Sequence, residues 1–248
     1  MTQQAALSVR DLTLSYDDAP VVEGMTFSLE MGHLVAVVGP NGAGKSTMIK
    51  AMVGVLTPDR GDVQVLGDTG KRARRHITYV PQRGSVDWDF PVTVWDVVAQ
   101  GRFGHIGLLG RLKGQQRQLV EQALHKVGMT ELQHRQIGEL SGGQQQRVFL
   151  ARALAQQGDV YLMDEPFVGV DARTERAIVD VLSALRDQGK LVMVVHHDLS
   201  TVREYFDTML LMNKQLVACG PTQEVFTKQN LQRAYGGRLA IFEDTAAP

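Results

Sequence analysis

The sequence predicts a single α/β domain: a parallel sheet buried on both faces, an antiparallel β layer before it and a helical insertion within it. Three kinds of pattern carry this. First, "LSVRDLTLSY" (7–16) alternates apolar and polar residues as a half-buried strand does. "PVVEGMTFSLEMG" (20–32) repeats the alternation after a break, which gives the antiparallel layer. Second, "HLVAVVG" (33–39) is a short, β-branched, apolar run ending in glycine, the mark of a strand covered on both sides. "DVYLMDEP" (159–166) and "KLVMVVHHD" (190–198) repeat that form, each turning polar at its end. Parallel strands sharing one carboxyl edge follow, and ligands bind at that edge in such sheets. Third, 91–157 has helical texture ("RQLVEQALHKVGM", "GQQQRVFLARALAQQ") and few strand candidates. The expected organisation is therefore a core over 1–90 and 158–220, a helical subdomain over 91–157, and a C-terminal helix and tail over 221–248. The final "YGGRLAIFEDTAAP" carries little signal and is expected to fray.

A chain of 248 residues can bury one sizeable core, although length alone would also allow two small ones. Lys plus Arg number 26 against 27 for Asp plus Glu, so no global field draws the chain to nucleic acid or anionic lipid. The only cysteine, Cys219, excludes an internal disulfide and reads as a small apolar filler near a strand end. The start "MTQQAALSVRDL" lacks a basic-then-apolar signal pattern, so a reducing compartment is expected. No apolar run approaches the roughly 20 residues of a membrane helix.

Chemistry begins at "GPNGAGKST" (39–47), which fits G-x-x-x-x-G-K-[ST] directly after a buried strand and before the helical "MIKAMVGVL". Gly39, Asn41, Gly42 and Gly44 would let backbone N–H groups curl around a β-phosphate, at the positive end of the helix that follows. Lys45 would reach the β- and γ-phosphates, Ser46 would offer its hydroxyl to Mg²⁺, and Thr47 would hold the α-phosphate. An accidental glycine-rich turn is the competing reading, and the strand and helix flanks weigh against it. "VYLMDEP" supplies the second half of a nucleotide site. Asp164, at a strand end, would bind Mg²⁺, and Glu165 would orient and deprotonate the attacking water. Taken alone, the same two acids could equally cap the next helix.

"LSGGQQQR" (140–147) opens another helix, with Ser141 as N-cap, Gln144 completing a capping box, and Gly142 and Gly143 exposing backbone donors. One nucleotide does not need two anion-binding helix ends from one subunit. It could be held between the phosphate loop of one chain and this motif of another. Here the sequence resembles the ATP-binding cassette (ABC) family, whose signature is L-S-G-G-Q. The phosphate loop, the signature, "MDEP" and "VVHHDLS" occur in the family's order and spacing over nearly the whole chain.

The resemblance implies a P-loop NTPase (RecA-like) core with a helical signature subdomain, ATP and Mg²⁺ as ligands, and a head-to-tail dimer around two ATP. In that dimer Ser141, Gly142, Gly143 and Gln144 of each chain complete the other's site. It further implies that Tyr16 stacks on adenine and that Gln82 contacts Mg²⁺ and the attacking water. Asp171 would belong to the loop crossing the dimer interface, and His197 would be the switch residue at the γ-phosphate. His196 stands where a small hydroxyl residue is usual, which leaves open whether it contributes. "SVDWDFP" and "EPFVGVD" resemble the subgroup serving importers of manganese, zinc or iron, closest to the manganese type. The implied partners are an integral-membrane permease and, through it, an extracytoplasmic metal-binding protein, with the chain peripheral on the cytoplasmic face. A soluble ABC ATPase of DNA repair, ribosome function or iron–sulfur assembly is the alternative. A non-catalytic nucleotide-binding scaffold is weaker, because Lys45, Asp164, Glu165 and His197 are all present.

Two further segments have readings of their own. His33, His76, His105, His125 and His134 are scattered without ligand spacing and read as isolated surface residues, and "KRARRH" (71–76) as a solvated turn. "YVPQRGSVDWDFPVTVWDVV" (79–98) holds both tryptophans and fits neither helix nor strand periodicity. Trp88, Phe90 and Trp95 either present apolar surface to a permease helix or pack the helical insertion.

Overall fold

The protein is described by a computed structural model covering residues 5–16, 19–106 and 111–236. Of the segment expected to fray, Tyr235 ends a helix and Gly236 is its C-cap, and residues 237–248 lie outside the described residues. The strands are β1 (Leu7–Tyr16), β2 (Ala19–Leu29), β3 (Leu34–Val38), β4 (Arg60–Val65), β5 (Asp68–Thr69), β6 (Ile77–Val80), β7 (Val160–Asp164), β8 (Leu191–Val195), β9 (Thr208–Asn213) and β10 (Gln215–Pro221). The helices are α1 (Lys45–Met52), α2 (Gly70–Ala73), α3 (Val94–Gln100), α4 (Phe103–Ile106), α5 (Gln115–Lys126), α6 (Gly142–Gln156), α7 (Ala172–Asp187), α8 (Leu199–Tyr205), α9 (Thr222–Val225) and α10 (Lys228–Tyr235).

One sheet, ordered β2-β1-β4-β5, is antiparallel. The other runs β10-β9-β3-β8-β7-β6 and is parallel except for β10. Every residue of β3, β7 and β8 is buried. Alternation along β3 divides the core in two. Leu34, Ala36 and Val38 face a cluster containing Val97, Val148 and Leu182 of the helices. Val35 and Val37 face Leu7 and Met25 of the antiparallel layer and Met48 and Ile49 of α1. Each fully buried aliphatic side chain contributes roughly 1.5–3 kcal/mol, so this two-sided burial fixes the register.

The parallel sheet is larger than the three runs read from the sequence. β6 ("ITYV") is only four residues long, and β9 ("TMLLMN") is built from Met and Leu, which suit helix as well as strand. Between residues 91 and 157 the described residues form helices and one isolated bridge, Thr93 to Gln136.

Two expectations need correction. His33 and His76 are not isolated: His33 Nδ1 lies 3.4 Å from Asp207, and His76 stands between Asp159 (3.1 Å) and Asp68 (3.3 Å). Parallel strands begin together at one edge, which brings Asp159 and Asp207 there although they are distant in sequence. Asp159 and Asp68 meet opposite nitrogens of the His76 ring and so converge on no common point. Among the described residues no group of three such side chains could hold a metal ion. The second correction concerns the aromatics. Trp88 packs edge-on against Phe149 of α6 at 5.2 Å and donates its indole N–H to the Arg83 carbonyl, whereas Phe90 is 59% exposed. The segment therefore both packs and presents surface. Cys219 lies on β10, where burial pushes its thiol up to about 11, as an inert filler requires.

Candidate functional site

The carboxyl ends of β3, β6, β7 and β8 lie along one edge, and every candidate read from the core except Tyr16, which ends β1, sits on a segment leaving it. After β3 the chain curls through Gly39–Gly44 into α1. A Cβ on Gly39 would lie 2.1 Å from the Met212 carbonyl oxygen. Gly44, the N-cap of α1, has φ 88°, with the Val21 carbonyl oxygen 2.6 Å from where a Cβ would be. Only glycine satisfies both conditions at that position. Asn41 and Gly42 form the exposed crest, and Thr47 lies in the first turn of α1.

Lys45 is buried and its Nζ donates to the carbonyls of Gly39 (2.7 Å) and Pro40 (2.9 Å), so the ammonium caps the inside of the loop. Burial lowers its pKa, opposed by the nearby carboxylates of Glu165 and Asp164. Ser46 Oγ donates to Asp164 Oδ1 at 2.8 Å. Asp164 is 1% exposed, and burial raises its pKa against the Ser46 hydrogen bond. A buried carboxylate with a hydroxyl beside it suits a hard cation held by oxygen donors. Glu165 follows in the left-handed region at φ 54°, a conformation costing on the order of 1 kcal/mol for a non-glycine residue. Its Oε2 accepts from Gln82 Nε2 at 2.8 Å, joining the end of β7 to the segment after β6.

At the end of β8 the two histidines part company. His197 is exposed, while His196 is 2% exposed, between Phe167 (5.3 Å) and Phe206 (5.2 Å), with Nε2 2.7 Å from Thr201 Oγ1. Burial lowers the His196 pKa to about 4. Below pH 6.5 the unfolded chain takes up this proton and the native chain does not, so stability falls as pH drops from 6.5 towards 4. The loss should reach about 3 kcal/mol. Thermal melts at stepped pH should therefore show His196→Gln gaining on the wild type across this window. Parallel profiles would mean that His196 is not held neutral.

A second cluster surrounds the signature. Ser141 and Gln144 form the predicted capping box, with Ser141 N–H donating to Gln144 Oε1 (2.9 Å) and Gln144 N–H to Ser141 Oγ (3.4 Å). A Cβ on Gly143 would touch Thr174 Cγ2 at 3.4 Å. The carboxylate of Asp171 caps α7 through the backbone N–H and hydroxyl of Thr174. Tyr16 ends β1, 46% exposed. Hydrogen bonds thus join Ser46 to Asp164 and Gln82 to Glu165, while Ser141–Gln144 and Asp171 meet separately beside the first turn of α7. Sequence reasoning missed Arg83, whose guanidinium donates to Gln145, and Phe167, which packs on His196. His196 stands where a small hydroxyl residue is usual, and that departure was the available signal for its aromatic neighbour.

A buried parallel sheet with a glycine loop feeding α1, and a half-buried serine bonded to a buried aspartate beside it, defines a P-loop nucleotide-binding protein. The ABC transporter family model matches residues 22–168. Over 234 residues the chain is 53% identical to the manganese transport system ATP-binding protein MntB of Bacillus subtilis, covering 94% of each. It is 51% identical to the zinc transport system ATP-binding protein TroB of Treponema pallidum, over 95% of this chain and 88% of that one. Among solved structures, a metal-chelate type ABC transporter in an inward-facing conformation superposes with a TM-score of 0.82 at 31% identity, covering 94% of this chain and 89% of that one. The chain belongs to the ABC transporter family.

Proposed function

We propose that this chain is the ATPase subunit that energises import of a divalent metal ion, with manganese first and zinc or iron next. The observation that carries the metal is the 53% identity, nearly end to end, to a manganese-system subunit. The chain is an ATP-binding cassette, so its chemistry is ATP hydrolysis. Lys45 would turn from the Gly39 and Pro40 carbonyls to the β- and γ-phosphates, and Ser46 and Asp164 would hold Mg²⁺, with Gln82 beside them. Bound there, Mg²⁺ supplies charge neutralisation for the phosphates. Glu165 orients the attacking water and accepts its proton, Gln82 contacts that water, and His197 contacts the γ-phosphate. Tyr16 stacks on adenine. Gly39, Asn41, Gly42, Gly44 and Thr47 cradle the phosphates.

Ser141, Gly142, Gly143 and Gln144 would close on the nucleotide of a second copy, with Asp171 at the interface. Residues 91–157 would form the helical subdomain, on the rest of the chain as core. No helix among the described residues is long and apolar enough to cross a membrane. The proposed partner is an integral-membrane permease, as the kinship to transport-system subunits implies. Its cytoplasmic helix would dock against Phe90, beside the groove lined by Val86, Val92, Val97 and Phe149.

Manganese accumulation in cells lacking the chain tests this reading. The wild type should restore uptake. Phe90→Ala should leave basal ATPase intact and cut uptake more than about tenfold, as expected of an exposed aromatic anchor. Trp88→Ala should instead lower the melting temperature by roughly 4–12 °C, because it unpacks Phe149. Restoration of zinc but not manganese uptake would change the metal, and no effect on any metal would remove the importer reading.

A further inference from the structure

Arg83 follows the glutamine that bonds Glu165, and its side chain runs the other way, into the signature helix. Its Nε donates to Gln145 Oε1 at 2.9 Å. Gln145 is 4% exposed and donates in turn to the Ile137 carbonyl at 3.2 Å, so the acceptor is fixed from behind. The guanidinium lies so close to the first turn of α6 that a Cβ on Gly142 would stand 2.8 Å from Nη1 and 3.1 Å from Cζ. A Cβ on Gly169, in the loop leading to Asp171, would touch the same Nη1 at 3.6 Å. The ring of Trp88 lies 6.0 Å from Cζ, and its indole N–H holds the Arg83 carbonyl.

Among the described residues Arg83 forms no salt bridge. A cation at the positive end of a helix, without a carboxylate, is electrostatically unfavourable. It is held there by one amide oxygen and an aromatic ring, which is the build of a mechanical link rather than of an ion pair. Any side chain at 142 would displace the guanidinium from this position.

We propose that Arg83 is a positioning residue that couples the two ATP sites of the dimer, a role that rests on the composite-site reading above. The Gln82–Glu165 bond reports the state of a chain's own γ-phosphate position. The next residue grips the helix whose N-terminus serves the partner's nucleotide. A shift of Gln82 towards nucleotide therefore displaces Arg83, and with it Gln145 and Gly142. One chain's occupancy is written onto the other chain's site through two adjacent residues. The planar fork matters, because Nε must reach Gln145 while the nitrogens beyond it lie on Gly142.

ATPase rate against ATP concentration tests this in the full-length chain, with binding of a fluorescent ATP analogue measured in parallel. The wild type should be cooperative, with a Hill coefficient approaching two. Arg83→Ala should bind the analogue within about twofold of wild type, lose cooperativity, and turn over about tenfold more slowly, the order of a typical coupling between sites. Arg83→Lys keeps the charge and the bulk but not the fork, and should behave like Arg83→Ala. Should the alanine variant fail to fold, the lysine variant carries the test alone. Wild-type cooperativity and turnover in Arg83→Lys would overturn the link. A wild type that hydrolyses ATP as a non-cooperative monomer would instead overturn the composite site itself.

Discussion

Glu165→Gln should retain ATP binding while hydrolysis falls by about three orders of magnitude, the middle of the range for loss of a positioned general base. The geometry makes this substitution unusually clean. Glu165 receives a hydrogen bond from Gln82 Nε2 at 2.8 Å, and an amide oxygen at the same position can accept it equally well. The backbone at φ 54° is set by the turn after β7 and does not depend on the carboxylate. Shape and bonding survive, and only the basic oxygen is lost. Nucleotide should therefore accumulate unhydrolysed, and with it the closed dimer, visible by size-exclusion chromatography with ATP and absent without it. Hydrolysis at the wild-type rate would place the base elsewhere.

Ser141→Arg should abolish nucleotide-dependent dimerisation and reduce turnover to background while leaving the monomer's affinity for ATP within about threefold. Ser141 is exposed, so the larger side chain can be accommodated in the isolated chain. The loss of its cap on Gln144 N–H costs about 1 kcal/mol, too little to unfold a domain of this size. What changes is the approach of a second copy, which would meet bulk and a misdirected cation where a phosphate should meet backbone donors. The phosphate loop, on another segment, keeps Lys45 on the Gly39 and Pro40 carbonyls. Normal turnover by a monomeric S141R protein would remove the composite site. These two substitutions separate the functions of the two clusters: one stops chemistry after closure, the other stops closure.

Local features of the site were legible in the sequence, and long-range ones were not. The phosphate loop and the Ser141–Gln144 capping box are contained within a few residues, so their spacing alone encodes them. β3, β7 and β8 were legible because each is a short apolar run that turns polar or to glycine at its end. β6 and β9 were not, being too short or too rich in methionine and leucine. Trp88 could be assigned to neither packing nor surface until Phe149, on another helix, was placed beside it. The same holds for Phe167 on His196 and for Arg83 on Gln145. Each is a pair of unremarked residues whose partnership exists only after the sheet has brought distant segments together. The histidine misreading has this cause too: His76 meets Asp159 across two parallel strand ends, a proximity that no spacing rule contains.

The strand order sets a schedule for biosynthesis. Leu34 of β3 pairs with Val192 of β8, and Val35 with Thr208 of β9. The strand that carries the phosphate loop thus leaves the ribosome with neither neighbour yet made. At ordinary elongation rates of about 5–20 residues per second, both flanks of β3 wait roughly ten to thirty seconds for a partner. During that interval five consecutive apolar residues, Leu34–Val38, present two open hydrogen-bonding edges, the form of segment most prone to pairing with another chain. The antiparallel layer emerges first and can cover one face of β3 through Leu7 and Met25, but a covered face does not close an edge. Nascent chains of this protein should thus depend on holding factors until about residue 211 has emerged, and truncations ending before β9 should aggregate rather than yield a smaller folded nucleotide-binding unit.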